Sequence, residues 1–395
     1  MPGQTLSEKI LSAKSGRDAH AGDVVVCTVD HALGTDGSTP MAIDYFHAMG
    51  GTRVAHPSRL VFALDHYAPA PNRAIAQLHQ RMRDFAREQG IALWDVGEGI
   101  GHQLMIESGR AVPGGLVVGA DSHAVTYGAL NCFATGIGSS DLAAIMLCGR
   151  IWLRVPESIQ VRLSGRLPTG VYPKDLALAL ARELGAGGAN YQSLEFCGPA
   201  LDSVDVEDRL VLANFAVEMG AKNAIFAGSI APDPDAVYVR DIHIDLDSLT
   251  PLVALPHQVD RVTAFADAAG TPVHMAYLGT CTGGRVRDFH QALAVLKAGG
   301  GPAPGVQLVV TPASRTVLET LARDGSLADF VSMGAVVVTP GCGSCCGTCG
   351  AIPGDGVNVI STANRNFKGR MGNSSASIYL ASPASCAAAA VRGTI

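Results

Sequence analysis

Short apolar, β-rich runs alternate with helical patterns along the sequence, and this alternation constrains the fold more than any other feature. Segments 24–29, 60–64, 116–119, 306–310 and 335–338 read as buried strands, whereas 74–87, 141–153, 174–183, 206–219, 286–297 and 314–322 read as helices. Unbroken apolar strands suit sheets covered on both faces, so the expected fold class is α/β with largely parallel sheets. A chain of 395 residues is too long for one core. Seams at 154–158 and at Ala-Ala-Gly-Thr-Pro, 268–272, predict three α/β domains, 1–156, 157–269 and 270–395.

Hydrophobic residues make up 48% and charged residues 16%, which excludes a disordered chain. A net charge of −6 without a long basic run gives no electrostatic support to nucleic-acid or membrane-surface binding. Glu8 and Lys9 fall where a secretion signal needs apolar residues, and no apolar run is long enough to span a bilayer. Ten cysteines without an export signal point to reduced thiols in the cytoplasm.

Cys27, Cys132, Cys148, Cys197 and Cys386 stand alone among apolar or small residues and read as small buried hydrophobes. The others cluster. PGCGSCCGTCG, residues 340–350, holds four cysteines in eight positions, with glycines that let the loop fold around an ion or cluster. Cys342/Cys345 and Cys346/Cys349 each form Cys-x-x-Cys, a set of four also fits a zinc knuckle, and Cys342, Cys346 and Cys349 spell the spacing of radical S-adenosylmethionine enzymes. The radical reading expects its loop ahead of a barrel, but this loop comes late in the sequence. A further thiol, Cys281 in LGTCTGGRVRD, follows an apolar strand and precedes a helix, a setting that stabilises thiolates.

LGTCTGGR, PGCGSCCG and STANRNFKGR, in that order, resemble the cluster-binding half of the aconitase superfamily. Upstream, LDHYAPAPN (64–72), GIGHQ (99–103), VVGADSHAVTYGAL (117–130), GIGSSD (136–141) and LEFCGP (194–199) resemble further motifs of the family. The resemblance covers nearly the whole chain, and NRNFKGRMG and IYLASP point to large subunits of the isopropylmalate isomerase and homoaconitase types. It implies a [4Fe–4S] cluster held by Cys281, Cys342 and Cys345. A cluster iron without a thiolate is a Lewis acid that binds a substrate hydroxyl and carboxylate together. Cys346 and Cys349 are then extras, either bland neighbours or groups that tune or protect the cluster.

The matching motifs also imply roles for polar side chains. Arg365 and Arg370 would grip substrate carboxylates, the alternative being ion pairs within the protein, and Asn364 would lie near the cluster. Asp65, His66, His102, Asp121, Ser122, His123 and Glu195 are the acid–base candidates, since a carboxylate fixes an imidazole's tautomer and raises its basicity. Glu195 reads equally well as a buried structural carboxylate. Gly97-Glu-Gly-Ile-Gly101 lacks the dinucleotide fingerprint spacing, and Asp30, His31 and Asp36 are left outside the site.

In this family the base that removes the carbon-bound proton is a serine on a swivelling domain. The expectation is therefore a separate small subunit carrying that domain and serine. The substrate would be a hydroxy di- or tricarboxylate, with 3-isopropylmalate (leucine biosynthesis) ahead of homoaconitate and methylmalate- or citraconate-type acids. A rival of another class is a non-catalytic protein stabilised by zinc or a closed cluster. One departure stands out: Gly283-Gly284 replace the Asn-Ser common in the family.

Overall fold

A computed structural model describes residues 3–395. Ala92–Trp94, Leu60–Ala63, His31–Thr35, Leu116–Gly119 and Phe133–Gly136 form, in that spatial order, a five-stranded sheet with every pairing parallel. Leu60–Ala63 and Leu116–Gly119 are buried at every residue, as expected of strands with no polar face. A second all-parallel sheet runs Asn223–Phe226, Ser193–Cys197, Ser158–Ser164, Arg240–Asp245. The third has seven strands: Val262–Ala264, Leu252–Ala254, Ser377–Leu380, Asn358–Ser361, Met275–Leu278, Gln307–Val310 and Val336–Val337. Its last five strands are parallel, and antiparallel pairings flank Leu252–Ala254.

Sheet membership changes between Arg154 and Ser158, and again between Asp245 and Leu252. A seam at 269/270 would cut the third sheet, because Ala254 pairs with Leu380. One apolar core joins the second and third sheets, running from Ile159, Phe196 and Leu212 to Tyr277, Val359, Cys342 and Cys345.

Two local expectations change. The apolar stretch 141–153 is not one helix: Ser139–Cys148 ends at Gly149, whose φ of 68° closes it, and Arg150–Arg154 forms a strand. That strand pairs antiparallel with Val24–Thr28, and this ribbon alternates, leaving Val24 and Val26 exposed rather than buried. A pure apolar run cannot separate helix from strand by period alone. Among the described residues, no helix is long and apolar enough to cross a membrane.

The placement of the motifs follows from the parallel sheets. Asp36, Asp65–His66 and Asp121–His123 lie just past the carboxyl ends of strands in the first sheet, and Cys281, Cys342 and Asn364–Arg365 do so in the third. Ligands of open parallel sheets bind at such ends.

Candidate active site

Asp121 is the hub. One of its carboxylate oxygens lies 2.8 Å from His102 Nε2 and accepts the His123 backbone N–H at 2.8 Å, and the other lies 3.2 Å from His66 Nε2. The opposite nitrogen of His66, Nδ1, lies 2.7 Å from the fully buried Asp65. His102 Nδ1 meets Tyr127 Oη at 2.8 Å, which fixes that ring from both ends. Burial opposes charge on His66, but Asp65 and Asp121 outweigh it and hold the imidazole well above its usual value. Burial would likewise raise Asp121, and hydrogen bonds from three histidines hold it well below the carboxylate range instead.

Asp36, set aside in the sequence reading, fixes this turn. It accepts from the backbone N–H groups of His66 and Tyr67 at 2.9 and 3.0 Å and meets His79 Nε2 at 2.9 Å. The glycine-rich 97–101 segment serves the same end. Gly99, at φ 140°, packs so closely on residues 313–314 that a Cβ would lie 2.6 Å from the Ala313 carbonyl, and the next turn presents Gly101 N–H to Asp65 at 2.7 Å.

A second branch holds a residue that no sequence motif marks. Glu218 meets His123 Nε2 at 2.9 Å and accepts from Arg365 Nε at 2.8 Å; Arg365 Nη2 in turn donates to Ser122 Oγ at 2.8 Å. Burial would raise Glu218, but His123 and Arg365 outweigh it and lower it. Burial lowers His123 while Asp121 and Glu218 outweigh it, with a net rise. Ser122 also lines a cavity of about 400 Å³ whose wall includes Tyr191 and Lys222.

Glu195 is not brought to this group. It is buried between the N-terminal helix and the second sheet, accepting from Leu6 and Ser7 N–H at 3.0 Å each, Ser158 Oγ at 2.9 Å and Tyr238 Oη at 3.1 Å. Four donors leave its carboxylate no free lone pair for chemistry. Its expected catalytic role gives way to an anchoring one.

The thiols lie against this network. Cys281, Cys342 and Cys345 are buried, and Cys281 packs with Ile100 and Ala313. Cys281 Sγ accepts from Asn214 Nδ2 at 3.0 Å and Asn364 Nδ2 at 3.3 Å, and Cys345 Sγ from Arg370 Nη2 at 3.4 Å. Among the described residues, the buried Arg370 Nε has no hydrogen-bond partner. Nitrogen donors converging on sulfur, with one guanidinium donor left over, fit an anionic iron–sulfur group, whose properties depend on such bonds. Among the described residues, the sets of three ligand atoms mutually within 4.8 Å are His102–Asp121–His123 and Asp36–Asp65–His66, and neither includes a cysteine.

The loop is seated on the Asp65–His66 turn. Cys342 N–H donates to the Asp65 carbonyl at 2.7 Å, Thr348 Oγ1 donates to the His66 carbonyl, and Cys349 Sγ lies 3.2 Å from the Ala68 carbonyl. Cys346 Sγ lies 3.1 Å from Thr348 Oγ1 and also faces the His66 carbonyl. The two extra cysteines thus pack loop against turn.

Comparison with known proteins agrees with this arrangement. The model of the aconitase family (aconitate hydratase) matches residues 8–231 and 227–393. The 3-isopropylmalate dehydratase large subunit 1 of Thermotoga maritima is 44% identical, the match covering 100% of this chain and 98% of the relative. The homoaconitase large subunit of Thermus thermophilus is also 44% identical, over 99% of this chain and 96% of the relative. Among solved structures, aconitase X of Thermococcus kodakaraensis shares the fold, with a TM-score of 0.52 and 13% identity over 91% of this chain and 88% of that one. With two family-model segments spanning nearly all of it and full-length relatives well above 30% identity, the chain belongs to the aconitase family, whose members are hydro-lyases with an iron–sulfur cluster.

Proposed function

We propose that this chain is the cluster-bearing large subunit of a two-subunit hydro-lyase that dehydrates a hydroxy dicarboxylate and rehydrates the unsaturated acid, with 3-isopropylmalate as substrate. The observation that carries this reading is the reach of one short segment. Arg365 is bound to Glu218 and Ser122 in the histidine network, and Arg370, five residues on, donates to Cys345. Acid–base groups, carboxylate-binding groups and thiols are thereby linked through one short segment.

Cys281, Cys342 and Cys345 hold a [4Fe–4S] cluster, which when bound supplies a Lewis-acidic iron for the substrate hydroxyl. His66, carboxylate-bound at both ring nitrogens, holds the proton that the departing hydroxyl takes from Nε2. Asp65 and Asp121 stabilise that imidazolium and aim it, while Asp121 also orients His102 and His123. Glu218 holds Arg365 so that its remaining guanidinium edge meets a substrate carboxylate, and the outer edge of the Arg370 guanidinium serves a second. Ser122 caps Arg365, and Asn364 supports Cys281.

The carbon-bound proton goes to a serine on the swivelling domain of a separate small subunit, consistent with relatives named as large subunits. Ten free thiols suit a reducing cytoplasm. Homoaconitate is the second reading, because the Thermus homoaconitase large subunit matches this chain as closely in identity as the dehydratase subunits do.

The test is anaerobic reconstitution with iron and sulfide, with and without a cognate small subunit. Formation of unsaturated acid is followed on isopropylmalates, homocitrate and methylmalate. Turnover of isopropylmalate only with both chains is expected. Full activity of the isolated chain refutes the split site, and zinc uptake without iron or sulfide favours a structural metal.

A further inference from the structure

Lys174 is the second residue of the helix Pro173–Leu184, and its side chain is almost fully buried at 1% exposure. Its ammonium donates three hydrogen bonds, to Thr282 Oγ1 at 2.9 Å, Asn364 Oδ1 at 3.1 Å and the Ala363 carbonyl at 3.2 Å. All three acceptors are uncharged, and the Phe215 ring lies 5.0 Å from the same nitrogen. The position is adverse in two further ways. A buried charge needs a partner of opposite sign to offset lost hydration. A cation in the first turn of a helix also faces the positive end of the helix dipole. The neighbouring carboxylate, Asp175, is spent on the backbone N–H groups of Tyr172 and Leu252 at 2.8 Å each.

The bonds of Lys174 lead toward a sulfur. Asn364 Oδ1 accepts from both Lys174 and Thr282 Oγ1, so the amide is fixed with its Nδ2 toward Cys281 Sγ. Burial pushes the Lys174 ammonium down to about 8, and Cys281 is the largest opposing influence.

We infer that Lys174 is a positioning residue whose missing counter-charge is the anionic iron–sulfur group held at Cys281. Through Asn364 and Thr282 it orients a donor onto that sulfur, and through its charge it favours the more reduced state. The inference rests on the proposed cluster site. It goes beyond it by assigning electrostatic control to a residue that touches neither substrate nor, directly, a thiol.

The full-length chain and its K174R, K174Q and K174M variants are reconstituted anaerobically, and iron and sulfide are counted first. No uptake by the parent chain sinks the cluster site itself, and the inference with it. With uptake established, the one-electron reduction constant is measured by redox titration, and iron loss is followed against a chelator. K174Q and K174M are expected to lower the reduction constant about tenfold, a shift of ~59 mV to more negative potential, and to lose iron about tenfold faster. K174R restores both. Neutral variants that match the parent potential overturn the inference while leaving the cluster site standing. Neutral variants that cannot fold even before metal is added assign Lys174 to the scaffold and overturn it as well.

Discussion

Glu218 and Arg365, 147 residues apart, meet so that one guanidinium nitrogen, Nε, donates to both carboxylate oxygens at 2.8 and 2.9 Å. The contact joins the second and third sheet segments and carries His123 on its other side.

Removing Glu218 leaves Arg365 without its carboxylate and His123 without its outer partner. The expected cost of E218A to the metal-free chain is about 3 kcal/mol, the low end for breaking a buried pair. Glu218 is depressed in the fold, so its contribution is present above the ordinary glutamate value and fades as pH falls through the lower folded one. Urea unfolding of the parent and E218Q from neutral to acid pH checks this: the gap between them should narrow on acidification.

The His66–Asp121 contact predicts stability that declines on both sides of a plateau. Asp121 is held low, so its share is present above the ordinary aspartate value and is lost as acid approaches the folded value. His66 is held high, so its share is fully present below about 6.5 and is lost as pH rises through its raised folded value. In D121N both losses should shrink. Denaturant midpoints of metal-free parent and variant across pH measure it, and identical profiles would remove the charge from this contact.

Glu195 and Asp65 are both buried carboxylates, yet substitution should separate them. E195Q replaces a four-fold acceptor at the N-terminal helix and is expected to cost roughly 1–3 kcal/mol, with kcat of the folded reconstituted complex unchanged. D65N removes the negative charge beside His66 and leaves one amide oxygen for two donors, His66 Nδ1 and Gly101 N–H, and should lower kcat by at least ~10²-fold, the low end for an acid–base group. Paired unfolding and steady-state assays decide.

A side chain at 283 meets Thr362. A Cβ there would lie 2.4 Å from the Thr362 Cβ, so G283N is expected to destabilise the chain by about 1–3 kcal/mol through overpacking. Thr362→Gly, which removes that Cβ, should relieve part of that cost. A double-mutant cycle on thermal unfolding exposes the coupling, and simple additivity would show that the glycine is not there for space.

The four cysteines of the 342–349 loop should divide by function. C342S and C345S, like C281S, are expected to bind substantially less iron and sulfide than the parent chain. C346S and C349S, whose thiols meet backbone carbonyls of the loop and of the His66–Ala68 turn, should bind as the parent does. Iron and sulfide counts after reconstitution decide between them.

Much of this site is legible in the sequence because its parts follow strands. Asp65–His66, Asp121–His123, Cys281 and Asn364–Arg365 each sit in a compact motif just past an apolar run, where a parallel sheet exposes polar groups. Glu218 escaped because it lies in a short helical segment, Ala216–Met219, with no motif, and its partners come from distant strands. Lys174 carries no motif and only opens the helix read at 174–183, and a helix covered on nearly every side turns it into a buried cation. Glu195 shows the converse: of its two readings, acid–base group and structural carboxylate, its contacts favour the second. Its motif is genuine, but the four donors around it come from the N-terminal helix and neighbouring segments that no local pattern reveals. The split of 141–153 at Gly149 could have been seen from the glycine, whereas the pairing of Leu252–Ala254 with the distant Ser377–Leu380 could not.

Cys342 and Cys345 also belong to the apolar core shared by two sheets. Oxidation of a thiol to its acids places polar oxygen where methyl and methylene groups pack. Chemical wear at these sulfurs is therefore wear on the joint between two sheets, and a spent copy would announce itself to proteases by the looseness of that shared core.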